Sequence, residues 1–220
     1  MARTLAGKRV AVMAAGGVAP DVLDRVLEVL GGAEGEVVVL SPGGGTRATE
    51  HGTTTAADAP HAALRGADPR RFLALVLPGG PSSVRALAEN ADAIAFVRAM
   101  MAHDKAVAAI GDAVELLVRA DAVRGRTLAA APTLRTSIVD AGGEWVDRPV
   151  VVDQRLVTSR TRDDLPVFCE QMLEVFTRAA ASRAVDESSE ESFPASDAPA
   201  WGPSSIGADR DDEHRARPSP

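Results

Sequence analysis

A chain of 220 residues that is 45% apolar and carries a net charge of −7 is sized for one domain with a substantial core, and its acidity argues against nucleic acid as a main partner. No apolar run reaches the roughly 18–20 residues of a membrane span. The lone cysteine, Cys169, excludes an internal disulfide and a cysteine-built zinc site. Aromatics are only 3%, with no tyrosine, so the core must be Val, Leu, Ala and Ile. The acidity is uneven: residues 182–220 hold nine acids and four bases, while the first 181 residues carry only about −2. Met1–Arg9 has no apolar leader stretch, and with the single thiol this fits a reducing cytoplasm.

In chain order, Arg9–Ala14 is a continuous apolar run of the kind that forms a central strand covered on both faces. Val22, Val26, Leu27 and Leu30 recur at helical spacing and stop at Gly31 and Gly32. Glu36–Leu40 is a second strand, and the Thr/Ala-rich stretch with His51 and His61 is turn-prone. Phe72–Leu77 is a third strand. Ile94, Phe96, Val97, Met100 and Met101 mark a helix with His103 near its C-terminus, where a partly charged imidazole suits the dipole. Ala106–Ile110 is a fourth strand. Val114, Leu117 and Val118 mark a helix, as do Leu134, Ile138 and Val139, which stop at Gly142 and Gly143. Pro149–Val152 and Leu156–Thr158 flank Asp153-Gln154-Arg155 as an antiparallel hairpin. Leu165, Phe168, Cys169, Met172, Leu173 and Phe176 mark a long last helix that buries Cys169 as a small hydrophobe.

Such alternation predicts an α/β fold: a doubly wound, mostly parallel, flavodoxin-like sheet with one small antiparallel addition. The domain is expected over 1–181. From 182 to 220, Ser, Pro and acids dominate, and this acidic tail is expected to be disordered in isolation. Phe193 and Trp201 within it are candidate partner-docking anchors; the alternative is a solubilising tail with incidental aromatics.

Leu77-Pro-Gly-Gly80 after a buried strand, Lys105-Ala-Val-Ala-Ala-Ile-Gly-Asp-Ala113, Arg124-Gly-Arg126 with Ala141-Gly-Gly-Glu-Trp-Val-Asp147, and Val157-Thr-Ser-Arg160 with Phe168-Cys169 together resemble the ThiJ/PfpI (DJ-1/PfpI) family, of class I glutamine-amidotransferase-like fold. The resemblance spans about residues 8–178. It implies a nucleophile elbow at the end of the fourth strand, where the family has a cysteine, often followed by His, with a Glu near the end of the first strand. Here those positions are Gly111 and Asp112, and Ala14–Pro20 holds no acid. The elbow cysteine is also missing in the C-terminal domain of large-subunit catalases, which Pro78–Leu87 and Ala109–Leu117 resemble. Nothing resembles a haem-binding catalase core.

The expectation is therefore a non-catalytic member of the family, an oligomeric (dimer or hexamer) binding or assembly module. The alternative is a hydrolase, glyoxalase/deglycase or isomerase-like enzyme that uses Asp112 and the loop amides. Asp112 also stands three residues before Glu115, the spacing of a capping box for the next helix. Candidate binding residues are Gly79, Gly80, Ser82, Gly111, Asp112, Arg135 and Arg160, with Ser82 or Ser83 alternatively capping the helix after Gly80. The arginines are candidates for carboxylate binding or subunit contacts. The histidines, with His214 in the tail, have no metal-ligand spacing, and no cofactor is expected.

Overall fold

The computed structural model describes residues 4–43 and 61–190. Nine strands and six α-helices are present among these residues: β1 (Arg9–Met13), α1 (Pro20–Gly32), β2 (Glu36–Ser41), β3 (His61–Ala63), β4 (Ala74–Leu77), α2 (Pro81–Ala88), α3 (Ala91–Ala102), β5 (Ala106–Ile110), α4 (Val114–Arg119), β6 (Thr127–Leu128), α5 (Arg135–Asp140), β7 (Glu144–Trp145), β8 (Val150–Asp153), β9 (Leu156–Ser159) and α6 (Leu165–Glu190). Seven strands form one sheet in the order β3-β2-β1-β4-β5-β9-β8. All its pairings are parallel except β8 with β9. β6 and β7 form a second, two-stranded sheet.

The apolar runs work as expected. Val10, Val12, Ala106, Ala108 and Ile110 point to one face, with α1 and α6 residues such as Leu23 and Phe176. Ala11, Met13, Val107 and Ala109 point to the other, with α3 and α4 residues such as Val97 and Leu117. Period-two alternation of small apolar side chains lets both helical layers approach closely. The hairpin closes through Gln154 and Arg155 between paired Asp153 and Leu156, with Gln154 at φ 57°. Cys169 is buried in α6, and desolvation pushes its thiol up to about 11.

Three features depart from the sequence reading. β3 lies within the stretch read as turns. The paired β6 and β7 are only two residues long, too short to leave a periodic signal. Finally, α6 runs past Ala181 to Glu190, because Arg183, Ala184, Glu187 and Glu190 are helix formers. Phe193, Trp201, His51 and the rest of the tail lie outside the described residues. No described helix is long and apolar enough to cross a membrane.

Lys105, at the start of β5, is buried, and its Nζ donates to the Phe72 carbonyl at 2.9 Å and the Arg70 carbonyl at 3.4 Å. Burial, reinforced by the charge of Arg183, lowers its pKa to about 8. Between pH 8 and the ordinary lysine range the folded state has shed this proton and the unfolded state has not, so stability rises with pH there. Cys169 acts oppositely: folded, it keeps its proton to about pH 11, so stability falls above the ordinary thiol value. With no tyrosine and only two lysines, the alkaline profile is uncrowded. Urea midpoints should rise by the equivalent of about 1 kcal/mol from pH 8 to 9 and level off above. Lys105→Met should abolish the rise, and Cys169→Ala should extend it beyond pH 10.

Candidate functional site

The candidate site lies beyond the carboxyl ends of β1, β4, β5 and β9. The strand order reverses between β1 and β4, where a doubly wound sheet opens a crevice. Here the cavity is about 440 Å³ and is lined by Ala19, Pro78, Gly80, Gly111, Asp112, Ala131 and Arg160 among others.

Glycines bring these loops together. Gly17, Gly79, Gly80 and Gly111 all have positive φ, which glycine adopts without a steric penalty. A Cβ on Gly80 would lie 2.5 Å from the Gly17 carbonyl oxygen and 2.9 Å from the Ala19 nitrogen. A Cβ on Gly79 would meet Asp112 Oδ1 at 2.7 Å and the Ile110 carbonyl at 3.0 Å. Gly111 differs. Its φ is 63°, yet a Cβ would find nothing nearer than the Arg160 carbonyl at 3.7 Å. The elbow conformation is kept, the position is open, and no side chain fills it.

Asp112 does not cap α4. The N-cap of α4 is Ala113, with no side-chain hydrogen bond, because Gly111–Ala113 already coil as a 3₁₀ turn continuous with the helix. Asp112 therefore sits inside the turn, and its Oδ1 accepts from the Gly80 N–H at 3.2 Å. Glu115 pairs forward with Arg119. Neither serine caps α2: Gly80 is the N-cap and Pro81 follows it. Ser83 Oγ instead accepts from the Ala15 N–H at 2.8 Å, tying the β1 loop to α2. Ser82 packs under Gly17 rather than lining the crevice.

Arg160, which follows β9, lines the crevice, but its guanidinium is already engaged. Nη1 donates to Asp147 Oδ1 at 2.7 Å, while Nε and Nη2 donate to the two oxygens of Asp164 at 3.3 and 3.4 Å. These carboxylates hold it charged and raise its pKa. Asp164 also closes a capping box with Thr161, a signal available in Thr161-x-x-Asp164. Arg135 is exposed and stacks over Trp145 at 5.4 Å, away from the crevice lining. Trp145 Nε1 donates to the Ala130 carbonyl and the Ala129 N–H donates to Thr158 Oγ1, which fixes the wall around Ala131. Arg162 pairs with Asp21 at the rim. Thus the crevice gathers Gly80, Gly111, Asp112 and Arg160 and leaves Arg135 outside. No cluster of metal-ligating side chains exists among the described residues.

A family model described as DJ-1/PfpI matches residues 8–175. Protein/nucleic acid deglycase 2 of Escherichia coli is 42% identical over 106 residues, 48% of this chain and 61% of that protein. A deglycase of Pyrococcus horikoshii is 34% identical over 142 residues, 64% of this chain and 82% of that protein. A two-domain Anabaena variabilis structure with DJ-1/ThiJ/PfpI-like and ferritin-like domains superposes with a TM-score of 0.70 at 28% identity, over 76% of this chain and 47% of that one.

The glycine geometry separates two substitutions. Gly111→Ala meets only the backbone penalty and should cost about 1 kcal/mol. Gly80→Ala adds steric collision with the β1 loop and should cost at least about 3 kcal/mol. Denaturant titration of the two variants measures the difference; equal losses would mean that the loops can separate freely.

Proposed function

The chain belongs to the DJ-1/PfpI family, and on that premise we propose that it removes small carbonyl adducts from amines by carboxylate acid–base chemistry, without a thiol. The carrying observation is Asp112: among the described residues it is the carboxylate that lines the crevice, beside the open elbow. Several relatives that share 34–42% identity are named deglycases, which supports the class of reaction.

In a hemiaminal adduct, relay of one proton suffices. Asp112 takes the proton of the adduct's hydroxyl, the carbonyl forms as the C–N bond breaks, and the carboxyl returns the proton to the departing nitrogen. Positioned acid–base groups of this kind typically contribute about 10²–10⁴-fold. The Gly80 N–H holds the carboxylate in place. Cys169 takes no part, since its thiol is buried in α6 and pushed up to about 11.

One observation favours a second reading, a binding module without turnover: the elbow position is a glycine with no nucleophile. The homo-oligomeric state and tail docking expected from the sequence are compatible with either reading.

The test follows amine release from methylglyoxal adducts of an amino acid by NMR. Turnover above the buffer rate, lowered at least about tenfold by Asp112→Asn and unchanged by Cys169→Ser, is the expected result. Saturable binding of the adducts with no turnover would select the binding module. Loss of activity in Cys169→Ser, with the fold intact by circular dichroism, would overturn the thiol-free chemistry.

A further inference from the structure

Another cavity lies away from the crevice, between the loop after β3 and α3, with a volume of about 270 Å³. Leu64 and Phe96 are buried at its floor, Pro69, Ala95 and Ala99 wall it, and Asp92 stands exposed at its rim. The Asp92 side chain has no hydrogen-bond or ion-pair partner among the described residues, and no lining side chain is a donor. An apolar slot with a single acceptor at its edge matches an indole, whose body is apolar and whose Nε1–H only donates. A phenyl ring would leave Asp92 unused.

The place where α6 leaves the body selects an indole of this same chain. Arg183 of α6 lies close enough to Lys105 to act on its ammonium, and that ammonium bonds the Arg70 and Phe72 carbonyls, beside the groove-lining Pro69. The last seven residues of α6, from Arg183 to Glu190, carry the chain about 10 Å onward. Eleven residues then lead to Trp201 and span up to about 36 Å, enough to return past Arg183 and reach the groove. Phe193, three residues beyond Glu190, spans only about 10 Å and falls short. The charges agree as well. Residues 186–201 hold Asp186, Glu187, Glu190, Glu191 and Asp197 and no base, while Arg65 and Arg71 beside the groove are exposed and unpaired among the described residues.

We propose that Trp201 docks intramolecularly in the groove between the 64–69 loop and α3, its ring over Leu64 and Phe96 and its Nε1–H donating to the Asp92 carboxylate, with the acidic segment before it running along Arg65 and Arg71. The tether makes this effective. A linker of this length keeps Trp201 at a local concentration on the order of millimolar, so the affinity of a single indole for the slot is sufficient to fill it. The tail anchor then belongs to its own domain, and the docking is independent of the chemistry in the crevice.

The full chain carries two tryptophans, Trp145 and Trp201, so Trp145→Phe leaves Trp201 as the sole indole reporter. Its emission should be blue-shifted from the value in urea, should resist iodide quenching, and should hold its position on about a hundredfold dilution, because the tether fixes the local concentration. Ala95→Glu, at an exposed position, puts a charge in the groove and should return the emission to the urea value with the circular dichroism unchanged. With Trp145 intact, Trp201→Ala should move the backbone amide signals of Ala95 and Ala99 and leave those of Gly111 and Ala131 in place. A blue shift that fades on dilution would put the tail of a second copy in the groove and overturn the intramolecular docking. Emission at the urea value in the native chain, a blue shift that Ala95→Glu leaves unchanged, or Ala95 and Ala99 amides that ignore Trp201→Ala would overturn docking altogether. All of these signals are read without substrate, so they stand apart from turnover in the crevice.

Discussion

Everything at the candidate site depends on how closely two backbones approach. Where Gly80 meets the loop after β1, an added Cβ would sit 2.5 Å from a carbonyl oxygen and 2.9 Å from an amide nitrogen. No side chain fits there, and both partners are backbone that cannot rotate away. This contact sets the distance between the ends of β1 and β4. The Gly80 N–H then meets Asp112 from the next strand's loop, and a Cβ on Gly79, at φ 81°, would crowd both that carboxylate and the Ile110 carbonyl. Three loops from adjacent parallel strands are locked by three glycines and one carboxylate. The crevice is the space left on their solvent side, where a doubly wound sheet places its ligands.

The sheet beneath makes this close approach possible. β1, β4 and β5 carry aliphatic residues, many of them Ala or Val, and the helical layers pack against them with Phe96 on one face and Phe168 and Phe176 on the other. At the end opposite the crevice, Phe72 meets Phe96 edge-on and Arg9 lies over Phe72. Lys105 is buried there too, its ammonium held by two carbonyls. Stability and the candidate site are thus spatially separated. The pole near the strands' N-terminal ends holds the buried titratable lysine, while the carboxyl pole spends its conformational freedom on loop convergence.

The strands were legible in the sequence because buried parallel strands leave contiguous apolar runs, and β1 and β5 follow Arg9–Met13 and Ala106–Ile110 almost residue for residue. The elbow was legible because Gly111 ends such a run. What stayed hidden depends on partners far apart in the chain. Asp112 stands at capping-box spacing from Glu115, and local spacing therefore favours a cap; its bond to Gly80, thirty-two residues away, is visible only once β4 and β5 are side by side. Ser83 likewise satisfies Ala15 across sixty-eight residues. Arg160 reads as a candidate for carboxylate binding or subunit contacts, and only the folded chain shows Asp147 and Asp164 bonded to it. β3, β6 and β7 were missed for another reason: two or three residues cannot display a period.

Gly111 ties these strands of argument together. A side chain at φ 63° costs on the order of 1–3 kcal/mol, and a nucleophile elbow tolerates that cost only while the side chain is useful. With glycine the same conformation is free, so the elbow persists without its strain. Persistence of the shape is thus no sign of a retained nucleophile. Anchoring of Asp112 is different, because it engages two other positions: its Oδ1 accepts from the Gly80 N–H and stands where a Cβ on Gly79 would lie. A carboxylate that merely faced solvent would do neither. The chemistry open to this crevice therefore turns on the residue after the elbow, held by the loop before it.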